Sequence, residues 1–130
     1  MAAKRVTIDR LFAGDRVKDI LQRLDAEEGA DREWAATTAA TIRAKSPLSL
    51  KIALAQVRRG KAWSFEDCML CEFRIVSRIV YGHDFYEGVR AVIVDKDNAP
   101  RWKPAMLAGI TDADVERHFS SLGADELVLP

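Results

Sequence analysis

The chain has 130 residues, of which 48% are hydrophobic and 31% charged, and its 20 basic residues balance its 20 acidic ones. This length and composition are those of a globular domain with its own core, which excludes a disordered protein. The zero net charge argues against a nucleic-acid partner, because proteins that bind nucleic acid carry a basic surplus. No apolar run approaches the roughly 18 residues of a membrane-spanning helix, so we expect no membrane partner.

The N-terminal segment MAAKRVTIDRLFAG has no apolar run long enough for a secretory signal. Its Asp9 and Asp15 are also atypical of a transit peptide. The two cysteines, Cys68 and Cys71, are too few for a disulfide scaffold. These features predict a reducing, cytoplasmic location.

Two helices are predicted within residues 15–44. The segment DRVKDILQRLDA repeats apolar residues at i, i+3, i+4 and i+7, with Asp15 as a candidate N-cap. EEGAD breaks this pattern, and Asp31 is positioned to start a second helix that runs to about Ala44. That helix is rich in Ala and Thr, and its large apolar residues are Trp34 and Ile42, so its apolar face is thin. The apolar residues of the first helix are Val17, Ile20, Leu21 and Leu24.

The segment KSPLSLKIALAQVRRG predicts a third helix. Ser46 is its candidate N-cap, Pro47 suits the first turn, and Gly60 is the expected C-terminal stop. One face of this helix carries Leu50, Leu54 and Val57. The basic residues of this region are expected to form a solvated surface; they are Lys45, Lys51, Arg58, Arg59 and Lys61.

The next helix begins at a capping box formed by Ser64 and Asp67 and ends at Gly82. Apolar residues occupy much of its circumference, which predicts a central and mostly buried helix. These residues are Met69, Leu70, Phe73, Val76, Ile79 and Val80.

The segment HDFYEGVRAVIVDKD combines polar and apolar residues. VRAVIVD has strand propensity, but no other strand is predicted to pair with it, so we interpret it as helix. Asp84 and Glu87 form a candidate capping box that explains them better than the paired carboxylates of a glycosidase. Gly88, just inside this helix, predicts close helix–helix contact.

A loop with two prolines follows, and a last helix is capped by Thr111, runs through Phe119 and stops near Gly123. The sum is five or six helices and no convincing strand. We therefore predict an all-α fold, in a single domain over residues 1–130.

The cysteines and histidines do not form a recognisable reactive site. Cys68 and Cys71 form one C-x-x-C pair, for which we favour core packing over a redox pair or a metal site, since zinc needs about four ligands. His83 and His118 lack the spacing of a metal pair, and hydrogen bonding within the fold is the favoured role of His83. We predict no catalytic residue and no metal ligand in this chain.

One basic–aromatic cluster remains a candidate binding site. Lys96, Arg101 and Lys103 surround Trp102, a combination suited to a phosphorylated or adenine-bearing ligand. The alternative is a solvated loop in which Trp102 fills a gap in the packing.

Three segments together resemble a known family. SPLSLKIALAQVRRG, CEFRIVSRIVYGHDFYEGVRAVIVDKDNAPRWKPAML and ITDADVERHFSSL are similar to the C-terminal region of 3-hydroxyisobutyryl-CoA hydrolases, a branch of the crotonase (enoyl-CoA hydratase/isomerase) superfamily. The resemblance runs from about Ile8 to Leu122, is strongest over 46–119, and includes all the helices predicted within 46–122.

The resemblance implies a helical domain without the ββα core that carries the family's oxyanion hole and acidic catalytic residues. None of those residues has a matching position here. The family hydrolyses a CoA thioester in valine breakdown, which makes such a thioester the expected substrate of a parent enzyme, with no cofactor bound by this chain. By analogy with related enzymes, Lys96, Arg101 and Lys103 are candidates to hold the CoA phosphates.

Three hypotheses about function follow. In the first, the chain is the C-terminal lid or assembly domain of a 3-hydroxyisobutyryl-CoA hydrolase-like enzyme, inactive by itself, whose exposed apolar helix faces meet the catalytic core or form a homo-oligomer. In the second, it is a separate interaction module that binds or regulates a crotonase core. In the third, it is a small enzyme that turns over a substrate alone.

Overall fold

In the computed structural model, residues 4–129 are described, and this part of the chain forms α-helices and short helical turns without a strand. Seven α-helices lie within residues 4–129: α1 (Arg5–Leu11), α2 (Val17–Asp25), α3 (Arg32–Arg43), α4 (Pro47–Gly60), α5 (Phe65–Ile79), α6 (His83–Val89) and α7 (Asp112–Phe119). The prediction of an all-α fold is confirmed. The predicted count of five or six is too low because α1 was missed: its 7 residues have little intrinsic helix stability and depend on the packing of Leu11.

The first three helices pack around a core of their own. The predicted apolar face of α2 is confirmed, and it packs on the small side chains of Ala35 and Ala39 in α3, with Trp34 and Ile42 beside them. Small residues on α3 allow the two helices to come close, which explains why a thin apolar face is enough. The buried residues of this core are Leu11, Val17, Ile20, Leu21, Leu24, Ala35 and Ala39.

The later helices surround a second core. Its buried members come from α4, α5, α7 and the segment before α7. They are Ile52, Cys71, Ile75, Ile110, Val115 and Phe119. Helix α4 touches both cores, because Leu50 and Leu54 lie against the first while Ile52 belongs to the second.

Some of the predicted helix caps are confirmed at the helix boundaries, and others are not. Ser46 caps α4, and Ser64 and Thr111 form complete capping boxes. Asp15 does not cap α2, since Arg16 occupies the N-cap without a side-chain bond. Asp31 stands at the N-cap of α3, where the second helix was predicted to start, but its carboxylate binds Lys4 and Thr7 and makes no capping bond.

Helix α4 ends at Gly60 as predicted, but Gly60 is not the C′ residue that the prediction assumed. It is the last residue of α4, and the C-cap is Lys61 in right-handed conformation, so no left-handed glycine ends this helix.

Helix α5 is less buried than predicted. Cys71 and Ile75 are its buried residues, while Phe65 is 72% exposed and Val76 is 50% exposed. Some of the apolar side chains around α5 therefore pack in a core, and others lie at the surface.

The basic residues of α4 are not simply solvated, contrary to the prediction. Lys51 donates from Nζ to the carbonyl of Ile110 at 2.6 Å, and Arg58 donates to the carbonyls of Phe12 and Gly14. These bonds tie α4 to the turns that precede α2 and α7.

The interpretation of VRAVIVD as helix rather than strand is confirmed. Helix α6 continues into a π-helical turn over Arg90–Val94. Ala91 is buried in this turn, but Val92, Ile93 and Val94 are exposed. No helix among residues 4–129 is both long and apolar enough to cross a bilayer.

Candidate functional site

The loop of residues 95–104 is fastened to α6 by an arginine–carboxylate cluster. Arg90 makes two bonds to the Glu87 carboxylate, at 3.0 and 2.8 Å, and contacts Asp95 and Asp97 at 2.7 Å each. Glu87 also accepts the backbone N–H of Arg101 at 2.7 Å. Arg90 and this N–H stabilise the ionised form and hold the pKa of Glu87 at about 2.

Asp84 forms a second anchor for the same loop. Its carboxylate accepts the Ser46 hydroxyl at 2.5 Å and the backbone N–H of Lys103 at 2.8 Å. Its other contact is His83 Nδ1 at 3.0 Å. One carboxylate thus joins the start of α4, the start of α6 and the loop.

The predicted capping box of Asp84 and Glu87 is therefore wrong. Helix α6 begins two residues earlier than expected, with Gly82 instead of Asp84 at the N-cap and no side-chain cap. Both carboxylates instead accept backbone amides of the 95–104 loop, because the chain returns to α6 after the π-helical turn.

Trp102 closes the loop against the helices, as the packing alternative proposed. Its Nε1 donates to the carbonyl of Ala44 at 2.9 Å, and its ring would lie 3.4 Å from a Cβ added at Gly88. Gly88 does allow a close contact, but the prediction of a second helix as its partner is wrong, since the neighbour is the indole ring of Trp102.

The three candidate phosphate-binding residues lie on this loop and are exposed. Lys96 has a positive φ of 56°, beside Asn98 at 51°. Lys103 lines the cleft described next, whereas Lys96 and Arg101 are not among its lining residues. Of the three, Lys103 is therefore the one that lines this cleft, and their binding of CoA phosphates stays a prediction.

A cleft of about 930 Å³ opens between the start of α4, the end of α5, the start of α6 and α7. Its apolar lining includes Leu48, Ile79 and Ile110. Its basic residues come from four separate segments and are Lys45, Arg78, Lys103 and Arg117. This cleft was not predicted, because no local sequence pattern indicates that these segments meet.

Ser46, Asp84 and His83 lie together at the edge of the cleft but are not arranged as a catalytic triad. Ser46 donates to Asp84, and His83 contacts the same carboxylate, so the histidine is not the partner of the hydroxyl. A nucleophilic serine needs an adjacent general base to take its proton. These three residues therefore hold the fold together, and hydrogen bonding is the observed role of His83.

The cysteines are both free thiols, and Cys71 belongs to the second core as the packing interpretation predicted. Burial raises the pKa of the Cys71 thiol, which disfavours the reactive thiolate. Among residues 4–129, no three histidine, cysteine or acidic side chains are grouped so that they could hold a metal ion.

Solved structures place this helical arrangement within the crotonase-type enzymes. The chain superposes on a carnitinyl-CoA dehydratase from Mycobacterium thermoresistibile with a TM-score of 0.86 and 38% identity, covering 98% of this chain and 35% of that one. An enoyl-CoA hydratase from Rhodobacter sphaeroides 2.4.1 gives a TM-score of 0.87 and 32% identity, covering 98% of this chain and 37% of the other.

Residues 1–119 match the enoyl-CoA hydratase/isomerase family, and the chain belongs to that family. It is 41% identical over 122 residues to the 3-hydroxyisobutyryl-CoA hydrolase, mitochondrial, of Danio rerio, and 38% identical over 120 residues to the Homo sapiens protein of the same name. These alignments cover 94% and 92% of this chain. The resemblance inferred from the three sequence segments is confirmed.

The chain spans about a third of the length of these relatives, 31% of the zebrafish protein and 30% of the human one. Both relatives are mitochondrial by name, which differs from the cytoplasmic location predicted for this chain.

Proposed function

We propose that this chain is the helical lid or assembly unit of a 3-hydroxyisobutyryl-CoA hydrolase-like enzyme and that it works by docking on a crotonase catalytic core. The family match and the identity to the hydrolases support the parent activity, hydrolysis of a CoA thioester in valine catabolism. Thioester hydrolysis needs fixed N–H donors at the developing oxyanion and a base for water. We assign these groups, and with them the chemistry, to the core.

The observation that carries this proposal is an apolar surface on α6 and the π-helical turn, which we call the α6 face. Tyr86 is 62% exposed and Ile93 is 63% exposed, and the neighbouring Phe85, Val92 and Val94 are exposed as well. Apolar patches rimmed by polar residues mark interaction sites in soluble proteins. The charged side chains of this segment pair with one another, Arg90 with Glu87, Asp95 and Asp97, while the α6 face stays exposed and available for a partner.

The proposed ligand contacts concern the CoA thioester of the parent enzyme. Lys96, Arg101 and Lys103 project from a loop that is fastened by Asp84 and Glu87, and positive side chains on a fixed loop suit phosphate groups. The chain itself is expected to hold no cofactor.

The proposal includes the partners of the α6 face. The first partner is the catalytic core, and a second copy of the chain occupies the face when no core is present. Neither nucleic acid nor membrane is an expected partner.

The test combines this chain with the part of the zebrafish hydrolase that lies outside the matched region. We expect this chain to bind that part and to give measurable hydrolysis of 3-hydroxyisobutyryl-CoA, with no turnover by the chain alone. Val92→Asp combined with Ile93→Asp on the α6 face should weaken binding at least tenfold. Val57→Asp on α4 is the matched control, because Val57 is 65% exposed outside this face, and it should leave binding unchanged.

Other outcomes separate the alternatives. Binding that regulates a complete crotonase without completing a truncated one favours the interaction module. Turnover by this chain alone overturns the assignment of the chemistry to the core and supports a small enzyme. Sedimentation that finds only monomer at high concentration contradicts the homo-oligomer.

A further inference from the structure

A second concave surface, which we call the junction groove, lies where the two hydrophobic cores meet. It has a volume of about 410 Å³ and is bounded by the start of α2, by α4, by the short helical turn Leu107–Gly109 and by the start of α7. Its floor is apolar and combines members of the first core with members of the second. The residues of the floor are Val17, Leu54, Ala55, Leu107 and Val115.

Two basic residues of α4 fix the walls of the junction groove. Lys51 and Arg58 are seven residues apart and therefore lie on one face of the helix. Lys51 donates from Nζ to the carbonyl of Ile110 at 2.6 Å, which holds the segment before α7. Arg58 donates to the carbonyls of Phe12 and Gly14, which holds the turn before α2. The fold itself thus forms the groove, and small-molecule sites are usually formed in advance in this way.

The rim of the junction groove carries three cations. Arg16 and Lys18 stand at the start of α2, and Lys51 belongs to α4. None of the three forms a salt bridge within residues 4–129. An ammonium has three N–H donors, and the carbonyl of Ile110 takes one of those of Lys51. Lys51 can therefore bind an anion while it keeps its bond to the fold.

Two carboxylates stand on the same rim and differ in their availability. Asp15 lies 3.7 Å from Arg58 and is paired with it. Asp112, in the first turn of α7, forms no salt bridge with any residue of 4–129. Thr111 alone separates it from Ile110, which binds Lys51. An ammonium and a carboxylate that are both available therefore border the same part of the groove.

These features define a ligand with an apolar body and charges of both signs. The volume lies in the lower part of the range of roughly 300–1,000 Å³ typical of small-molecule sites, which suits a compact molecule. A ligand with one charge would place that charge beside a like charge of the rim, either Asp112 or Lys51. We propose that the junction groove binds a free α-amino acid with a large apolar side chain. The side chain covers the floor, the α-carboxylate binds Lys51 and the α-ammonium binds Asp112.

A ligand at this place contacts both cores at once. It binds the folded chain and not the unfolded one, so it should stabilise the chain against unfolding. Binding in the junction groove goes beyond the docking proposed above, because it uses neither the α6 face nor a catalytic core. A failure of the docking experiment therefore leaves it standing, and its own failure leaves the docking proposal intact.

The test is an NMR titration of the 130-residue chain that follows the methyl groups of Leu54, Leu107 and Val115. The probes are phenylalanine, 3-phenylpropanoate, which lacks the ammonium, 2-phenylethylamine, which lacks the carboxylate, and glycine, which lacks the side chain. We expect phenylalanine to shift these resonances and to bind about tenfold more tightly than each of the other three, the effect of one charged hydrogen bond or of the lost apolar contact.

Variants give a second measurement. Ala108→Trp places an indole in the groove and should abolish the binding of phenylalanine, whereas Ala53→Trp, at an exposed position of α4 outside the groove, should not. Asp112→Asn should lower the affinity for phenylalanine several-fold and leave that for 3-phenylpropanoate unweakened. Asp125→Asn is the matched control, because Asp125 is exposed outside the groove, and it should change neither affinity.

Three results would overturn the inference. The first is that 3-phenylpropanoate or 2-phenylethylamine binds as tightly as phenylalanine, since the ligand would then not need both charges. The second is that glycine binds as tightly, since the apolar floor would then not be used. The third is that no methyl group of the floor responds to any probe, or that Ala53→Trp weakens binding as much as Ala108→Trp.

Discussion

Ser46 carries two roles in a single hydroxyl group. It caps α4 by accepting the backbone N–H of Ser49, and it donates to Asp84 in α6. The residue is buried, so the loss of its oxygen would leave a carboxylate oxygen and a backbone N–H poorly satisfied at once. Ser64 also caps a helix, but its bonds remain within one turn and it is exposed.

This contrast gives a prediction about two serines. Ser64→Ala should lower the free energy of unfolding by about 1 kcal/mol, the typical effect of losing an N-cap. Ser46→Ala should lower it by about 2–3 kcal/mol, because the bond to Asp84 is lost as well. Urea denaturation of both variants measures the difference; equal losses would show that the Ser46–Asp84 bond contributes nothing.

The size of the side chain that position 88 can hold is limited by Trp102. A Cβ at this position would meet the Trp102 ring at 3.4 Å, which is ordinary contact, and the backbone of Gly88 is helical. A methyl group therefore fits, but a larger side chain does not.

We expect Gly88→Ala to leave stability unchanged or to raise it by up to about 1 kcal/mol, since alanine is the better helix former. Gly88→Leu should destabilise the fold by at least about 1 kcal/mol, because it displaces the indole from its bond to Ala44. Thermal unfolding and tryptophan fluorescence report the two effects. A Gly88→Leu variant with unchanged fluorescence and stability would contradict the contact.

At the scale of elements, α6 and the 95–104 loop form one unit held by charge. Arg90 connects Glu87, Asp95 and Asp97, which come from both sides of the π-helical turn. The planar guanidinium supplies several donors in fixed directions, and a lysine would lose this geometry. The unit fixes the loop that carries Lys96, Arg101 and Lys103.

This unit should weaken in acid. Arg90 and the N–H of Arg101 lower the pKa of Glu87 from 4.5 to about 2 in the folded chain. A carboxyl with a depressed folded pKa stabilises the fold above its unfolded pKa, and this contribution is lost as the pH falls from about 4.5 towards 2. The hydrogen-exchange protection factor of the Arg101 amide, which donates to Glu87, should fall over this range.

Glu87→Gln is the variant that tests the origin of this pH dependence. It should lower stability at pH 7 and flatten the fall in stability between about pH 5 and 2. Glu28→Gln, at an exposed position, is the control and should leave the curve unchanged. Glu126, whose pKa Arg74 also lowers to about 2, accounts for part of the remaining slope. An unaltered slope in Glu87→Gln would contradict the assignment.

At the scale of the whole molecule, α4 connects two hydrophobic cores. Arg58 makes part of this connection, because it reaches from α4 to the carbonyls of Phe12 and Gly14 in the turn between α1 and α2. Its Nε is buried without a partner among the described residues and lies 3.7 Å from Asp15 Oδ1. One N–H of the guanidinium therefore lacks a partner, yet the side chain still donates to two carbonyl groups that would otherwise bind water.

Arg58→Gln should destabilise the chain by about 1–3 kcal/mol, since two carbonyls lose a charged donor. Arg23→Gln is the control: Arg23 is exposed, its bond to the Arg10 carbonyl is 3.5 Å long, and the change should stay within about 0.5 kcal/mol. Urea unfolding followed by a probe in each core, Trp34 in the first and Trp63 in the second, measures both variants. If the two variants have the same free energy of unfolding, Arg58 does not help to connect the two cores.

The sequence by itself determined the features that depend on near neighbours. The all-α fold, the apolar face of α2 and the caps at Ser46, Ser64 and Thr111 rest on interactions within about four residues, so periodicity and residue type were enough. The family was also evident, because its motifs are continuous along the chain.

Only the tertiary structure decided which distant groups Asp84 and Glu87 bind. Their partners Ser46, Lys103 and Arg101 are 38, 19 and 14 residues away, so a local pattern favoured capping and was wrong. The same holds for three other features: the roles of Arg58 and Lys51, the position of Trp102 against Gly88, and the cleft between α4, α5, α6 and α7. Each depends on segments that are distant along the chain and meet only in the folded state. Contacts of this kind cannot be predicted from any single stretch of sequence.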